Sequence, residues 1–356
     1  MNYSHLVGNI SANAALRKIH MLPYRSKFHV YYTDVQAYKG TTFVIAMNTD
    51  EKILAFRRVM MNFISERLSS GLLQRTIKEG VEQWAQKGTV DMLDIVMFLE
   101  SVAMRFLYDI DPATVYTPEE RKKRAQTIYN GTKWVLYDSY RPMGDIFSSI
   151  FIATGLDFDP MRRKILKQIT EIWEDVYERQ IEMMQNGQDC LLGAFFREPL
   201  LANLDLNFLK ANTIGAILGG QFLTSISNIT GMFYNLSKGN LPPANSEKVN
   251  WILQVISDWS PLINILRSYG GFVVTIPSTG NAKELHRSFS LGPRQCPGKG
   301  MVLDLYGSMM DLLGQYKVDM ECLEDTKIRC SLWPFTNPNL RFKIEKQPQQ
   351  QQQQQQ

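Results

Sequence analysis

The chain has 356 residues, of which 44% are apolar and 21% charged, enough for a sizeable core in one large domain or two ordinary ones. Lys plus Arg (39) against Asp plus Glu (35) leaves a net charge of +4, too small a surplus to imply nucleic acid as a partner. The four cysteines (Cys190, Cys296, Cys322, Cys330) show no C-x-x-C spacing and the four histidines (His5, His20, His29, His286) no ligand spacing, which argues against a disulfide framework and against a classical zinc protein.

The first twenty residues lack a basic start followed by an apolar run, so no secretory signal is read there and no transmembrane anchor is expected. The expected setting is the reducing cytoplasm. Short strands are expected at Phe28–Tyr32 and Thr42–Ile45. Ile53, Leu54, Phe56, Val59, Met60, Phe63, Ile64 and Leu68 then recur at helical spacing, and Met92 to Phe106 repeats the pattern. Thr117-Pro118-Glu119-Glu120 reads as a helix start, with Thr at the N-cap, Pro at N1 and Glu at N3. Pro160 to Gln185 turns Ile165, Ile169, Ile172, Trp173, Val176 and Tyr177 to one side, with Gly187 just beyond: an amphipathic surface helix.

The 27 positions from Ala211 to Ser237 carry no charge. Their many Asn, Thr, Ser and Gln side chains argue against a lipid-facing span. The reading is a long helix through the centre of the fold, with Asp205 available to cap its start and Lys238-Gly239-Asn240 ending it. Phe272–Ile276 and Leu340–Ile344 are strand signals. Gln347-Pro348 and the eight glutamines from Gln349 to Gln356 form a low-complexity tail that cannot pack a core. The fold class is mainly α with small β elements, read as one domain over residues 1–346 followed by a disordered tail over 347–356.

The window that carries chemistry is Phe289-Ser-Leu-Gly292-Pro-Arg294-Gln-Cys296-Pro-Gly298-Lys-Gly300. A Gly-rich turn presents one cysteine just before a helix with apolar face Met301, Val302, Leu305, Met309, Leu312, Leu313 and Tyr316. The helix dipole and free backbone N–H groups favour a thiolate there. Arg294 could pair with a carboxylate on a flat ligand, and glycines let the backbone approach such a ligand closely. The bland alternative is a turn holding an ordinary core cysteine.

This window resembles the heme-binding signature of the cytochrome P-450 family, Phe-x-x-Gly-x-Arg-x-Cys-x-Gly, with every defining position matched. The resemblance implies a truncated cytochrome P-450-like fold, strongest over 205–345. It implies heme b (iron protoporphyrin) as cofactor, with Cys296 as axial ligand and sole metal-binding residue, Arg294 on a propionate, Phe289 packing near the sulfur, and Gly292 and Gly298 as further cofactor-binding residues. Phe56-Arg57-Arg58 resembles the helix whose Arg contacts the second propionate, which makes Arg57 cofactor-binding. Gly220-Gln221-Phe222-Leu223-Thr224 falls on the family's Gly-x-acid-Thr motif. Thr224 keeps the catalytic hydroxyl and Leu223 replaces the acid. Leu332-Trp-Pro-Phe335 looks like the turn that dips into the substrate pocket.

Two departures accompany the resemblance. Gln254 and Ser257 stand where the family has its Glu-x-x-Arg pair, so that buried ion pair is missing. The stretch from Ser257 to Cys296 is also much shorter than in the family. The first reading is a heme-thiolate monooxygenase acting on an apolar small molecule. The substrate would lie between Phe222, Leu223, Thr224 and the Leu262–Leu266 segment. A separate electron-donor protein would serve it, because no nucleotide-binding Gly motif is present. A second reading is a fatty-acid hydroperoxide isomerase or dehydratase of the allene oxide synthase type, which needs no proton delivery to oxygen. A third is a catalytically inactive heme-binding or interaction protein. Arg121-Lys-Lys-Arg124 either docks an acidic redox partner or is a solvated helix face. The sequons Asn228-Ile-Thr230 and Asn235-Leu-Ser237 fall inside the predicted buried helix and read as chance matches. Thr224 is either the catalytic hydroxyl or a helix Thr bonded to its i−4 carbonyl.

Overall fold

The computed structural model of the chain describes residues 51–140, 160–203, 206–215, 222–243, 247–259, 264–269, 272–277, 289, 295–321, 333–336 and 339–347. The expected strands at 28–32 and 42–45 lie outside these residues, as do Asp205, Cys322, Cys330 and the glutamine run.

Helix α1 spans Glu51–Leu68 and buries Ile53, Phe56, Met60, Phe63 and Ile64, the stripe its spacing predicts. Helix α2 (Leu72–Lys87) ends at Gly88, whose φ of 73° a residue with a Cβ would adopt only under strain. The short strand β1 (Thr89–Asp91) leads directly into α3 (Met92–Tyr108), with Asp91 at the N-cap of a capping box completed by Asp94. One turn, α4 (Pro112–Val115), precedes α5 (Pro118–Tyr140), where Thr117 and Glu120 close the expected box: Thr117 N donates to Glu120 Oε2 at 2.8 Å and Glu120 N to Thr117 Oγ1 at 3.3 Å. Helix α6 covers Pro160–Gln185, the predicted span, and its apolar face buries Ile169, Trp173, Val176 and Tyr177. A short α7 (Leu191–Arg197) follows.

The uncharged stretch takes in the end of α8 (Leu206–Gly215) and all of α9 (Leu223–Ser237); the six residues between Gly215 and Phe222 lie outside the described set. Helix α9 is wrapped in protein, with buried side chains at Ser225, Ile226, Ser227, Asn228, Ile229, Thr230, Met232, Phe233 and Leu236. It stops where the sequence says it should. Gly239 takes φ 75°, and the Asn240 N–H returns to the Asn235 carbonyl at 3.0 Å. Asn228 and Asn235 sit within α9, with the Asn235 amide bonded to the Gly231 carbonyl at 2.8 Å, consistent with chance sequons. No helix among the described residues is long and apolar enough to cross a membrane.

Helix α10 (Glu247–Trp259) precedes an antiparallel hairpin, β2 (Asn264–Tyr269) with β3 (Phe272–Pro277). The predicted strand is β3; its partner β2 begins within the Leu262–Leu266 segment, expected only as pocket lining. Helix α11 (Lys299–Leu313) follows Cys296, then β4 (Tyr316–Glu321), the one-turn α12 (Trp333–Thr336) and β5 (Arg341–Lys346). Tyr316, expected on the face of α11, instead opens β4: the helix ends at Leu313 and Gly314 bonds back to the Met310 carbonyl. Strands β1, β5 and β4 form an antiparallel sheet with β5 central, Phe342 lying opposite both Val90 and Met320. Alternation in β5 buries Phe342 and Ile344. Gln347, placed in the tail by sequence, is tied to the fold: its N–H reaches the Gln315 carbonyl at 3.2 Å.

Aromatic contacts join these layers around α9. Trp84 of α2 packs edge-on to Phe98 of α3 (4.9 Å) and Phe233 of α9 (5.6 Å), and Phe233 stacks on Phe342 of β5 (5.1 Å). Phe335 of α12 is fully buried, stacked at 6.1 Å on Tyr129 of α5, whose hydroxyl donates to the Pro334 carbonyl at 2.7 Å.

The basic run on α5 is divided by the packing. Lys122 and Lys123 face solvent, but Arg124 is buried and pairs with buried Glu100 at 2.7 Å. Its guanidinium also covers the Tyr116 ring at 4.1 Å. A docking face made of all four residues is therefore excluded.

Candidate functional site

The site is built around Cys296, two residues ahead of the N-cap Gly298 of α11. No side chain caps that helix, so its first N–H groups need another partner. The Cys296 sulfur lies beside them, and the backbone N–H groups of Gly298 and Lys299 favour its charged form. Lys299 N also reaches the Cys296 carbonyl at 3.2 Å, and Cys296 N donates to the Phe289 carbonyl at 2.6 Å. These bonds fold the turn over the start of the helix.

Cys296 is exposed in the turn ahead of α11. Burial pushes its thiol up, opposed by the N–H of Gly298, the positive charge of Arg57 and the N–H of Lys299. Burial likewise lowers Arg57, against the pull of Cys296. All three opposing groups favour the thiolate, and a cation at the sulfur would add to them and deprotonate it outright.

Arg57 comes from α1 and is half-buried. Its Nη2 donates to the carbonyl of Gln295, the residue before Cys296. That contact between positions 57 and 295 was not legible in the sequence, which offered only a family role for Arg57. Phe289 is buried beside the turn through its ring and engaged through its carbonyl. Gly298 leaves the sulfur's flank clear: a Cβ there would stand 3.8 Å from Sγ, so a longer side chain would grow out alongside the sulfur.

The structure thus brings Cys296, Phe289, Gly298 and Arg57 together. Gly292 and Arg294 lie outside the described residues, as does the side chain of Leu223. Thr224 is half-buried in the first turn of α9. Its i−4 residue, Gly220, lies outside the described set. One link went unnoticed in sequence: Asn228 of α9 donates to the hydroxyl of Tyr306 on α11 at 3.4 Å, both buried. Burial pushes the Tyr306 phenol up to about 12, so it stays protonated. The signal was present in the polar residues of α9, but nothing marked Tyr306 as their partner.

The donor set fits a heme-type group. One exposed soft sulfur at the start of a helix, beside a cation, suits a metal whose other ligands come from the cofactor.

No family model matches the sequence, and no curated protein matches it. Solved structures do. The chain superposes on a cytochrome P450, CYP102L1, with a TM-score of 0.62 at 11% identity, covering 94% of this chain and 90% of that one. Retinoic acid-bound cyanobacterial CYP120A1 gives 0.60 at 12%, covering 96% and 88%. Cytochrome P450-153 from Novosphingobium aromaticivorans gives 0.61 at 14%, covering 93% and 88%. The chain has the cytochrome P450 fold.

Proposed function

We propose that the chain is a heme-thiolate oxidoreductase that binds heme b through Cys296 and acts as a monooxygenase on an apolar small molecule. The observation that carries this reading is an exposed Cys296 just ahead of the start of α11, which no side chain caps, with Arg57 bonded to the residue before it. The shared fold supports it.

Cys296 would hold the heme iron, and Arg294 and Arg57 would answer the negative charge of the propionates. Phe289, whose ring is buried, would pack near the sulfur. When bound, heme with a thiolate ligand supplies oxygen activation, because the thiolate donates electron density that favours O–O cleavage. The chain's own work is to hold the sulfur, shape an apolar pocket and manage protons. Phe222, fully buried at the start of α9, contributes apolar surface, with Leu223 and the Leu262–Leu266 segment as its proposed companions. Thr224 is the hydroxyl proposed to pass a proton to the reacting oxygen. Electrons would come from a separate donor protein.

One feature favours a second reading. Helix α9 contains no acidic residue, so no carboxylate stands beside Thr224 on it. A fatty-acid hydroperoxide, whose O–O bond is already formed, would need none.

The deciding experiment is the absorption spectrum of the reduced protein with carbon monoxide. The parent protein and Cys190→Ser should show the red-shifted thiolate-type band, since Cys190 is buried at the N-cap of α7 with its sulfur bonded to the Gly193 N–H at 3.3 Å. Cys296→Ala should lack it. A red-shifted band that survives in Cys296→Ala would defeat the proposal.

A further inference from the structure

We infer that Arg57 is a positioning residue for Cys296: it fixes the peptide that precedes the sulfur, beyond any part it has in meeting a propionate. The inference rests on Cys296 being the axial ligand. Arg57 donates to the Gln295 carbonyl, and Cys296 N donates to the Phe289 carbonyl at 2.6 Å. That carbonyl and that N–H belong to one peptide unit. A peptide held at its C=O from one side and at its N–H from the other cannot rotate about its flanking bonds. The direction of the Cys296 side chain is set by that plane.

The clamp sits on a rigid base. Helix α1 is anchored by Phe56, stacked on Phe195 of α7 at 4.6 Å. The next residue, Arg58, turns outward and bonds Glu198 at 3.0 Å. At the far end of α1, Leu68 lies against Gly300 in the first turn of α11, where a Cβ would come 3.6 Å from its Cδ1. Thus α1 touches both the ligand turn and the helix that follows it. Helix α10 brings no cation to the positions where the resemblance expects an ion pair. The Gln254 amide donates to Asp258 at 2.7 Å, and Ser257 is a buried hydroxyl. A guanidinium is suited to the task. Its planar fork of five N–H donors holds a carbonyl and still has donors and a full charge to turn toward an anion.

The test follows amide hydrogen exchange across residues 289–300 in the full-length purified protein, alongside the ferrous–CO spectrum. In Arg57→Ala, exchange at the Cys296 amide should accelerate at least about tenfold while Leu99, in the core of α3, keeps its rate. At saturating heme, part of the thiolate-type band should be lost. Arg57→Lys, which keeps a donor and the charge, should recover much of both. Should Arg57→Ala not fold, Arg57→Gln replaces it, with exchange at Cys296 expected between parent and tenfold. Unchanged exchange at Cys296 in Arg57→Ala or Arg57→Gln overturns the inference. So does weaker heme affinity in Arg57→Ala with the saturated band intact, which would leave Arg57 a propionate ligand alone. Absence of the thiolate band from the parent protein would defeat the heme reading, while the exchange result would still decide the clamp.

Discussion

The ring of Trp259 occupies the space that a side chain on Gly231 would need: a Cβ built on Gly231 stands 2.3 Å from Trp259 Cγ. The glycine lets α9 and α10 approach closely, with Tyr234 and Trp259 packed at 5.5 Å. Alanine is the better helix former by about 1 kcal/mol, so propensity alone predicts that Gly231→Ala stabilises the chain. The packing predicts the reverse. Overpacking should cost about 1–3 kcal/mol, read as a lower midpoint in denaturant. A neutral or stabilising result would show that α9 and α10 can separate at no cost.

The Glu100–Arg124 pair predicts a pH dependence. Burial pushes the Glu100 carboxyl above its ordinary pKa, against the charge and hydrogen bond of Arg124. The folded chain therefore holds this proton more tightly than the unfolded one, and the carboxyl's contribution to stability declines as pH rises through its folded pKa. In Arg124→Met the carboxylate loses its partner. At neutral pH that should cost about 3–5 kcal/mol. The loss should shrink on acidification, as Glu100 takes up a proton, and largely disappear in Glu100→Gln/Arg124→Met. Urea denaturation at neutral and mildly acidic pH measures it. A loss independent of pH would mean that Glu100 does not titrate in the folded state.

What the sequence disclosed and what it hid follow from the range of the interactions. Helix α6 could be read end to end because its period separates apolar from charged side chains and Gly187 follows it, all local information. The Cys296 turn could be read because Gly298 and the start of α11 are its neighbours in sequence. Strand β4 could not: Tyr316 continues the apolar spacing of α11, and only Val318 is fully buried in it. The direction of Arg124 depended on Glu100 and Tyr116, and the grip of Arg57 on Gln295 spans 238 positions. Neither leaves a periodic trace.

Heme should stabilise the fold measurably. The turn that presents Cys296 is held by a few hydrogen bonds, and the ion pair expected on α10 is replaced by Gln254 and Ser257. A ligand that binds only the native state raises stability by mass action, about 2.7 kcal/mol at a hundredfold excess over Kd. The melting temperature should therefore climb with added hemin in the parent protein, and much less in Cys296→Ala. A melting curve indifferent to hemin would favour the inactive, interaction-protein reading.

The last prediction separates the two enzymatic readings at Thr224. A monooxygenase takes up protons together with reductant, and α9 holds no acidic residue. Thr224, half-buried in its first turn, and water would be the local means of delivering them. Under that reading Thr224→Ala should uncouple the reaction: reductant consumption persists while product falls about 10²-fold, the low end for loss of a positioned proton donor, and peroxide is released. Leu223→Asp, which restores an acid beside the hydroxyl, should improve coupling in the parent background. Under the hydroperoxide reading the substrate brings its O–O bond ready-made, so reductant is irrelevant and Thr224→Ala changes little. The two assays run side by side, reductant-dependent peroxide release and reductant-free consumption of a fatty-acid hydroperoxide. The resemblance of Thr224 to the family hydroxyl favours the monooxygenase. Fast hydroperoxide turnover without reductant, unaltered in Thr224→Ala, would reverse that choice.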